Sequence, residues 1–119
     1  MVKPGYDICM SAPWVLPEEL RQLAESDEDL VKEVLAVFRS DTAERIAKLR
    51  AALDRGDRVT VKNQAHAVKG SAGQVGAAEV SELCRDIELQ SIASDEPVLR
   101  GLVTRLEAAF ASVVRDMSA

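Results

Sequence analysis

Residues 27–56 read DEDLVKEVLAVFRSDTAERIAKLRAALDRG, and this stretch sets the fold class. Its apolar side chains recur at spacings of three and four residues for about seven turns, which is the period of an amphipathic α-helix. A cap candidate at Ser26-Asp27 precedes the stretch, and Arg55 followed by Gly56 is a typical helix end. We therefore predict one long helix whose inward face comprises Leu30, Val31, Val34, Leu35, Phe38, Ile46, Leu49 and Leu53.

Helical patterns also fill the chain on both sides of this stretch. A second helix is predicted between a cap at Asp57 and a stop at Gly76, and a third opens at residue 77 or 78. The turn at residues 94–97 places a proline in the first turn of a last helix, where its missing N–H costs little. A short helix starts near residues 16–20. Every long segment of the chain is thus assigned to a helix.

The sequence contains no period-two run of β-branched residues and no Asn-Gly or Asp-Gly hairpin signal. Four long helices joined by short connections pack most simply side by side. We predict an all-α fold, an antiparallel up-down four-helix bundle with a short additional N-terminal helix. Residues 1–13 show no pattern, so we expect a loose N-terminal tail at 1–13 and one domain at 14–119.

Composition limits the classes of function. The chain has 119 residues, 47% apolar and 29% charged, which suits one soluble domain with a single core. A net charge of −5 argues against general nucleic-acid binding. Neither a spanning helix nor a signal peptide is visible, and two cysteines suit free thiols in a reducing compartment. We therefore expect a cytoplasmic protein that contacts neither membrane nor nucleic acid.

The second predicted helix breaks the usual design rules at residues 65–76, AHAVKGSAGQVG. Gly70 and Gly73 lie inside it, and each costs about 1 kcal/mol relative to alanine. His66 and Lys69 share one helix face with the two glycines, since their spacings are three, four and seven. This face differs from the core stripe. The only histidine of the chain is therefore expected to point out of the core or along its edge, with almost no side-chain bulk one turn further on.

Charge is distributed unevenly around this histidine. The segment from Arg58 to Ala78 contains three basic residues, Arg58, Lys62 and Lys69, while all 20 acidic residues lie elsewhere. A local basic strip on an acidic protein predicts contact with an anionic group or an acidic partner.

The chemistry that fits these residues is nucleophilic. A neutral imidazole attacks through one ring nitrogen when an acceptor holds the other as N–H. Lys69 could neutralise phosphoryl oxygens, and the glycines would let a second protein approach closely. The acceptor is expected from the third helix, where Glu88 lies one turn beyond the inward Cys84.

Three segments carry a resemblance to a known family. The sequence HAVKGSA at 66–72, followed by Gly76-Ala77 and by LCRDIE at 83–88, resembles the histidine-containing phosphotransfer (HPt) domain of two-component phosphorelays. The resemblance extends to residues 16–20 and to the long helix that bears Phe38, and so covers roughly residues 14–115.

The resemblance implies a four-helix bundle that carries a phosphoryl group. His66 would take the group from an aspartyl phosphate on one receiver domain and give it to the aspartate of another. Lys69 matches the family's phosphate-neutralising lysine, and Glu88 matches the residue that orients the imidazole. The expected receiver-docking residues are Gly70, Gly73, Gln74 and Ala67, with Leu20 and Leu23, and with Lys62 from the basic strip.

The expected partners are receiver domains of a hybrid sensor kinase and of a response regulator, and the protein itself is expected to be a monomer. We expect no metal site, because one histidine and two distant cysteines offer no close pair of ligands. No Walker-type phosphate loop is present, so we expect a phosphocarrier without kinase activity and without a cofactor. Any divalent metal would belong to the receiver.

Two alternatives remain open at this stage. The domain could dock a receiver or kinase without taking phosphate, although the intact His66 and Lys69 argue against this. It could also be the phosphoacceptor domain of a chemotaxis-type kinase, phosphorylated directly by an ATP-binding domain.

Overall fold

The structure, a computed structural model, describes residues 14–118 and consists of five helices in that range. The helices are α1 (Glu18–Ser26), α2 (Glu28–Asp54), α3 (Arg58–Gln74), α4 (Ala78–Gln90) and α5 (Glu96–Ser118). No strand occurs among the described residues, so the prediction of an all-α fold is confirmed. The predicted loose tail at 1–13 lies outside the described residues.

The long stretch quoted first forms a single helix of 27 residues, α2. Its start is capped by Asp27, whose side chain accepts a hydrogen bond from the Leu30 amide at 3.0 Å. Asp57 caps α3 in the same way, accepting from the Thr60 amide at 3.1 Å. Gly56 and Gly76 follow α2 and α3 with φ of +77° and +74°, the left-handed conformation that glycine adopts without strain.

Each long helix has two long neighbours. Helix α2 packs against α3 and α5, and α4 packs against the same two helices, while α1 contacts α2. The inward stripes meet in one continuous core. Its largest fully buried apolar side chains are Leu49, Leu53, Ile87, Leu99 and Leu106. No helix within residues 14–118 is both long and apolar enough to cross a membrane.

The segment before α1 is hydrogen-bonded to the C-terminal ends of α3 and α5. The Trp14 indole donates a hydrogen bond to the Val75 carbonyl at 2.7 Å, and the Trp14 amide donates to Asp116 at 2.8 Å. Pro17 lies so close to Gly76 that a Cβ on the glycine would come within 2.7 Å of the proline ring. Gly76 therefore serves this contact as well as the end of α3.

Thr42 is an exception within the core. It is fully buried in α2, and its hydroxyl has no hydrogen-bond partner among the described residues. Burying an unpaired hydroxyl is unfavourable, whereas a methyl group of similar size would suit the apolar surroundings. We expect Thr42→Val to raise the free energy of unfolding by about 1 kcal/mol, measured by urea denaturation. Thr104→Val, which removes an exposed hydroxyl bonded to Arg50, should give no such gain. A lower urea midpoint for Thr42→Val would contradict the expectation.

Candidate functional site

The single histidine of the chain lies on the outer face of α3. The His66 side chain is 67% exposed, and its Nδ1 atom lies 2.8 Å from Oε2 of Glu88 on α4. The two residues are 22 positions apart in the sequence and meet because α3 and α4 pack side by side. The structure therefore brings together the proposed nucleophile and its proposed acceptor.

Lys69 meets the same carboxylate from one turn further along α3. Its Nζ donates to Glu88 Oε1 at 2.7 Å, so each oxygen of Glu88 has its own partner. The hydrogen bond from Lys69 is the main cause that lowers the pKa of the Glu88 carboxyl, and the hydrogen bond from His66 adds to it against an opposing effect of burial. Glu88 is consequently ionised at neutral pH.

An ionised Glu88 determines the tautomer of the imidazole. A carboxylate can only accept hydrogen bonds, so Nδ1 of His66 must carry the proton that lies between them. In the neutral imidazole the other ring nitrogen, Nε2, then holds a free lone pair. Most of the His66 side chain is exposed, so another molecule can reach the ring.

The two glycines inside α3 differ in their surroundings. A Cβ added to Gly70 would meet nothing within 4 Å, so the absence of a side chain there serves no contact within the described chain. A Cβ at Gly73 would lie 3.9 Å from Ser81 Oγ, an ordinary van der Waals distance. Neither glycine is therefore required for helix packing.

The remaining residues expected to dock a receiver occupy different environments. Gln74 and Lys62 are exposed on α3, and Ala67 is half-buried. Leu20 and Leu23 lie on α1, partly buried against the core. The structure thus gives these two leucines a packing role, and their part in docking stays a prediction.

Two residues of the basic strip already have partners within the chain, so the strip is less free to bind an anionic partner than the sequence indicates. Arg58 donates to the carbonyls of Ser91 and Ser94 at 3.1 and 2.7 Å, which joins the start of α3 to the connection after α4. Lys69 is paired with Glu88. Two of the three basic residues, Arg58 and Lys69, therefore help to attach α3 to α4, which the charge pattern did not reveal.

A groove of about 350 Å³ between α2 and α3 was not foreseen. Apolar side chains form much of its lining, while Glu33 and Asp41 add two carboxylates. The sequence feature that could have indicated this groove is Val37, an apolar residue that lies off the core stripe of α2 and is 60% exposed. The lining residues are Leu30, Glu33, Val34, Val37, Phe38, Asp41, Ser71, Gln74 and Val75.

A second side chain with nucleophilic potential, the Cys84 thiol, lies near Lys69 and Glu88. The Cys84 thiol is buried beneath the site, and burial is the main cause that raises its pKa to about 12, so it stays protonated and unreactive. Within residues 14–118 no cluster of histidine, cysteine or carboxylate side chains could hold a metal ion.

Comparisons with known proteins agree with the helical fold. Residues 33–113 match the family model of the Hpt domain. Among solved structures, the chain is similar to histidine-containing phosphotransfer protein B (HptB) from Pseudomonas aeruginosa PAO1, with a TM-score of 0.77 and 29% sequence identity. The match covers 91% of this chain and 95% of that one. The comparison with curated proteins found no match. With its matched residues spanning most of the helical domain, the chain belongs to the Hpt domain family, the histidine phosphotransfer domains of two-component phosphorelays.

Proposed function

We propose that His66 is the phosphoacceptor of this protein, taking a phosphoryl group from the phospho-aspartate of one receiver domain and passing it to the aspartate of another. The observation that carries the proposal is the contact between Nδ1 and Glu88 at 2.8 Å, on a ring that is otherwise mostly exposed. This contact leaves Nε2 as the nucleophile.

The phosphoryl transfer from aspartate to His66 requires no proton to leave the site. Nε2 of His66 forms a bond to phosphorus, the bond between phosphorus and the aspartyl oxygen breaks, and the aspartate leaves as a carboxylate. The ring keeps the proton on Nδ1 and becomes a cation, which the negative charge of Glu88 stabilises. The reverse sequence of bond changes delivers the group to the second receiver.

We propose that Lys69 assists the transfer while it keeps its hydrogen bond to Glu88. An ammonium has three donors, and one of them is bonded to Glu88. The other two remain for the phosphoryl oxygens, whose charge increases the need for a cation nearby. We propose this as the role of Lys69.

We further propose that α2 to α5 form an antiparallel up-down four-helix bundle, with α1 laid over one end, as one domain at residues 14–119. The neighbour relations of the helices and the anchoring of Trp14 support this arrangement. The protein acts as a monomeric cytoplasmic carrier, has no kinase activity and needs no cofactor of its own. The divalent cation required for transfer belongs to the receiver domain.

Docking is proposed at the face that surrounds His66, with Ala67, Gly70, Gly73, Gln74 and Lys62 from α3 and with Leu20 and Leu23 from α1. Gly70 provides the sharpest test, because a side chain there would project into open space. Gly101, an exposed glycine within α5, also has nothing within 4 Å of an added Cβ and provides a matched control.

We expect Gly70→Gln and Gly101→Gln each to raise the free energy of unfolding by about 0.5 kcal/mol, because glutamine is the better helix former. Only Gly70→Gln should slow phosphoryl uptake from a receiver, by about tenfold at subsaturating receiver, since the new side chain obstructs docking. Urea denaturation and transfer rates measure the two effects. Equal transfer rates for both variants would show that Gly70 is not an access residue.

The proposed function is tested by phosphoryl transfer itself. The protein is mixed with a panel of radiolabelled phospho-receivers, each prepared from a hybrid kinase and ATP, and the label on the small protein is followed with time. We expect label that is lost in acid and kept in alkali, as for phosphohistidine. If the receivers bind the protein but none transfers label to it, the protein is a docking module rather than a carrier.

A further inference from the structure

Helix α4 contacts the His66 turn through a second residue besides Glu88. The hydroxyl of Ser81 donates a hydrogen bond to the main-chain carbonyl of Lys69 at 3.1 Å. Ser81 is half-buried in the α3–α4 interface. Since Ser81 and Glu88 are seven residues apart, they lie on the same face of α4. Helix α4 therefore binds Lys69 at two points, the carbonyl through Ser81 and the ammonium through Glu88.

The helical turn that follows Lys69 is intrinsically weak, so the hydrogen bond from Ser81 can stabilise it. Gly70 and Gly73 both lie in it, and glycine is among the weakest helix formers because it loses the most backbone freedom on folding. The carbonyl of Lys69 is the regular helical acceptor for the Gly73 amide. Ser81 adds a second donor to that same carbonyl, from a neighbouring helix.

The relative position of α3 and α4 matters at this site because three side chains, those of His66, Lys69 and Glu88, must meet at once. Glu88 reaches His66 Nδ1 at 2.8 Å and Lys69 Nζ at 2.7 Å only when α3 and α4 hold one relative position. A small rotation of the glycine-containing turn would lengthen one of these hydrogen bonds. At the start of α3, Arg58 joins this helix to the Ser91 and Ser94 carbonyls that follow α4. Ser81 joins the same two helices near the other end of α3, where the glycines lie.

We propose that Ser81 is a positioning residue for phosphoryl transfer, which holds the Lys69 turn against α4 so that Glu88 can engage His66 and Lys69 together. The proposal rests on the proposed function of His66. Ser81 touches neither the phosphoryl group nor the nucleophile, so its effect passes through the orientation of the imidazole and the ammonium. It should change the rate of transfer within the docked complex and leave docking unchanged.

The test compares Ser81→Ala with two matched variants. Ser81→Thr keeps the hydroxyl, and Ser118→Ala removes a hydroxyl that donates to a helix carbonyl, that of Val114, at the far end of α5. For each variant we would measure the saturated rate of phosphoryl uptake from a phospho-receiver, the half-saturating receiver concentration, and the nitrogen-15 NMR signals of the His66 ring.

We expect Ser81→Ala to lower the saturated rate about two- to tenfold, the range of one hydrogen bond of ordinary strength, at an unchanged half-saturating concentration. Its ring signals should shift from a single Nδ1–H tautomer toward a mixture. Ser81→Thr should recover the rate to within about twofold, and Ser118→Ala should match the wild type. The inference would be overturned if Ser81→Ala kept both the saturated rate and the ring signals of the wild type. It would also be overturned if the variant changed only the half-saturating receiver concentration. Failure of the wild-type protein to take label would instead contradict the proposed function.

Discussion

Replacing His66 with glutamine is expected to abolish phosphoryl uptake. The amide of glutamine occupies a similar volume and can still donate to Glu88, but it has no lone pair with the nucleophilicity of an imidazole nitrogen. The chain contains no other histidine, so no second imidazole can replace it. We expect transfer from any phospho-receiver to fall at least about 1,000-fold, to the detection limit of a radiolabel assay.

The variant should remain folded, because the side chain it replaces is largely exposed. Its free energy of unfolding should stay within about 0.5 kcal/mol of the wild type. Arg105→Gln is a suitable control, since Arg105 is exposed on α5, which does not pack against α3. That variant should take label at the wild-type rate. Residual acid-labile label on His66→Gln would mean that the phosphoacceptor is another residue.

Glu88→Ala is expected to have the second largest effect. It removes the acceptor that holds the proton on Nδ1 of His66 and the carboxylate that balances the charged ring, and it also leaves Lys69 without its partner. Loss of a residue that orients a metal-ligating imidazole typically costs about 10- to 100-fold, and we take the same range for this reacting imidazole. We expect a reduction of that size in the saturated rate of phosphoryl uptake.

The conservative variant separates orientation from charge. Glu88→Gln keeps an oxygen acceptor for Nδ1 but loses the negative charge, so its rate should lie between those of Glu88→Ala and the wild type. Glu82→Ala provides a matched control, because Glu82 is an exposed glutamate on the same helix. A wild-type saturated rate for Glu88→Ala would exclude Glu88 from orienting the imidazole.

Several features could be predicted because their causes lie within a few neighbouring residues. The long helix α2 follows from the spacing of its apolar side chains, and Asp27 and Gly56 mark its ends through local hydrogen bonding and backbone conformation. The outward position of His66 follows from its angular offset from the core stripe of α3. Its proximity to Glu88 was anticipated from the adjacency of two consecutive helices.

Other features depend on contacts between parts of the chain that are distant in sequence. Trp14 reaches the carbonyl of Val75, and Arg58 reaches the carbonyls of Ser91 and Ser94. In both cases the acceptor is a main-chain atom, which every residue possesses, so the sequence carries no mark of the partner. For the same reason the sequence alone assigns Arg58 to a basic strip and gives no sign of its main-chain acceptors.

The sequence by itself determined that the chain is helical, where α2 and α3 begin and end, and which residues are candidates for the site, because periodicity, caps and motif all act over short distances. The tertiary structure alone decided that Lys69 shares the carboxylate of Glu88, that Ser81 bonds the Lys69 carbonyl, and that a groove opens between α2 and α3. These depend on the rotation and axial offset of one helix against another. Both are set by the packing of the whole core, to which residues from every helix contribute.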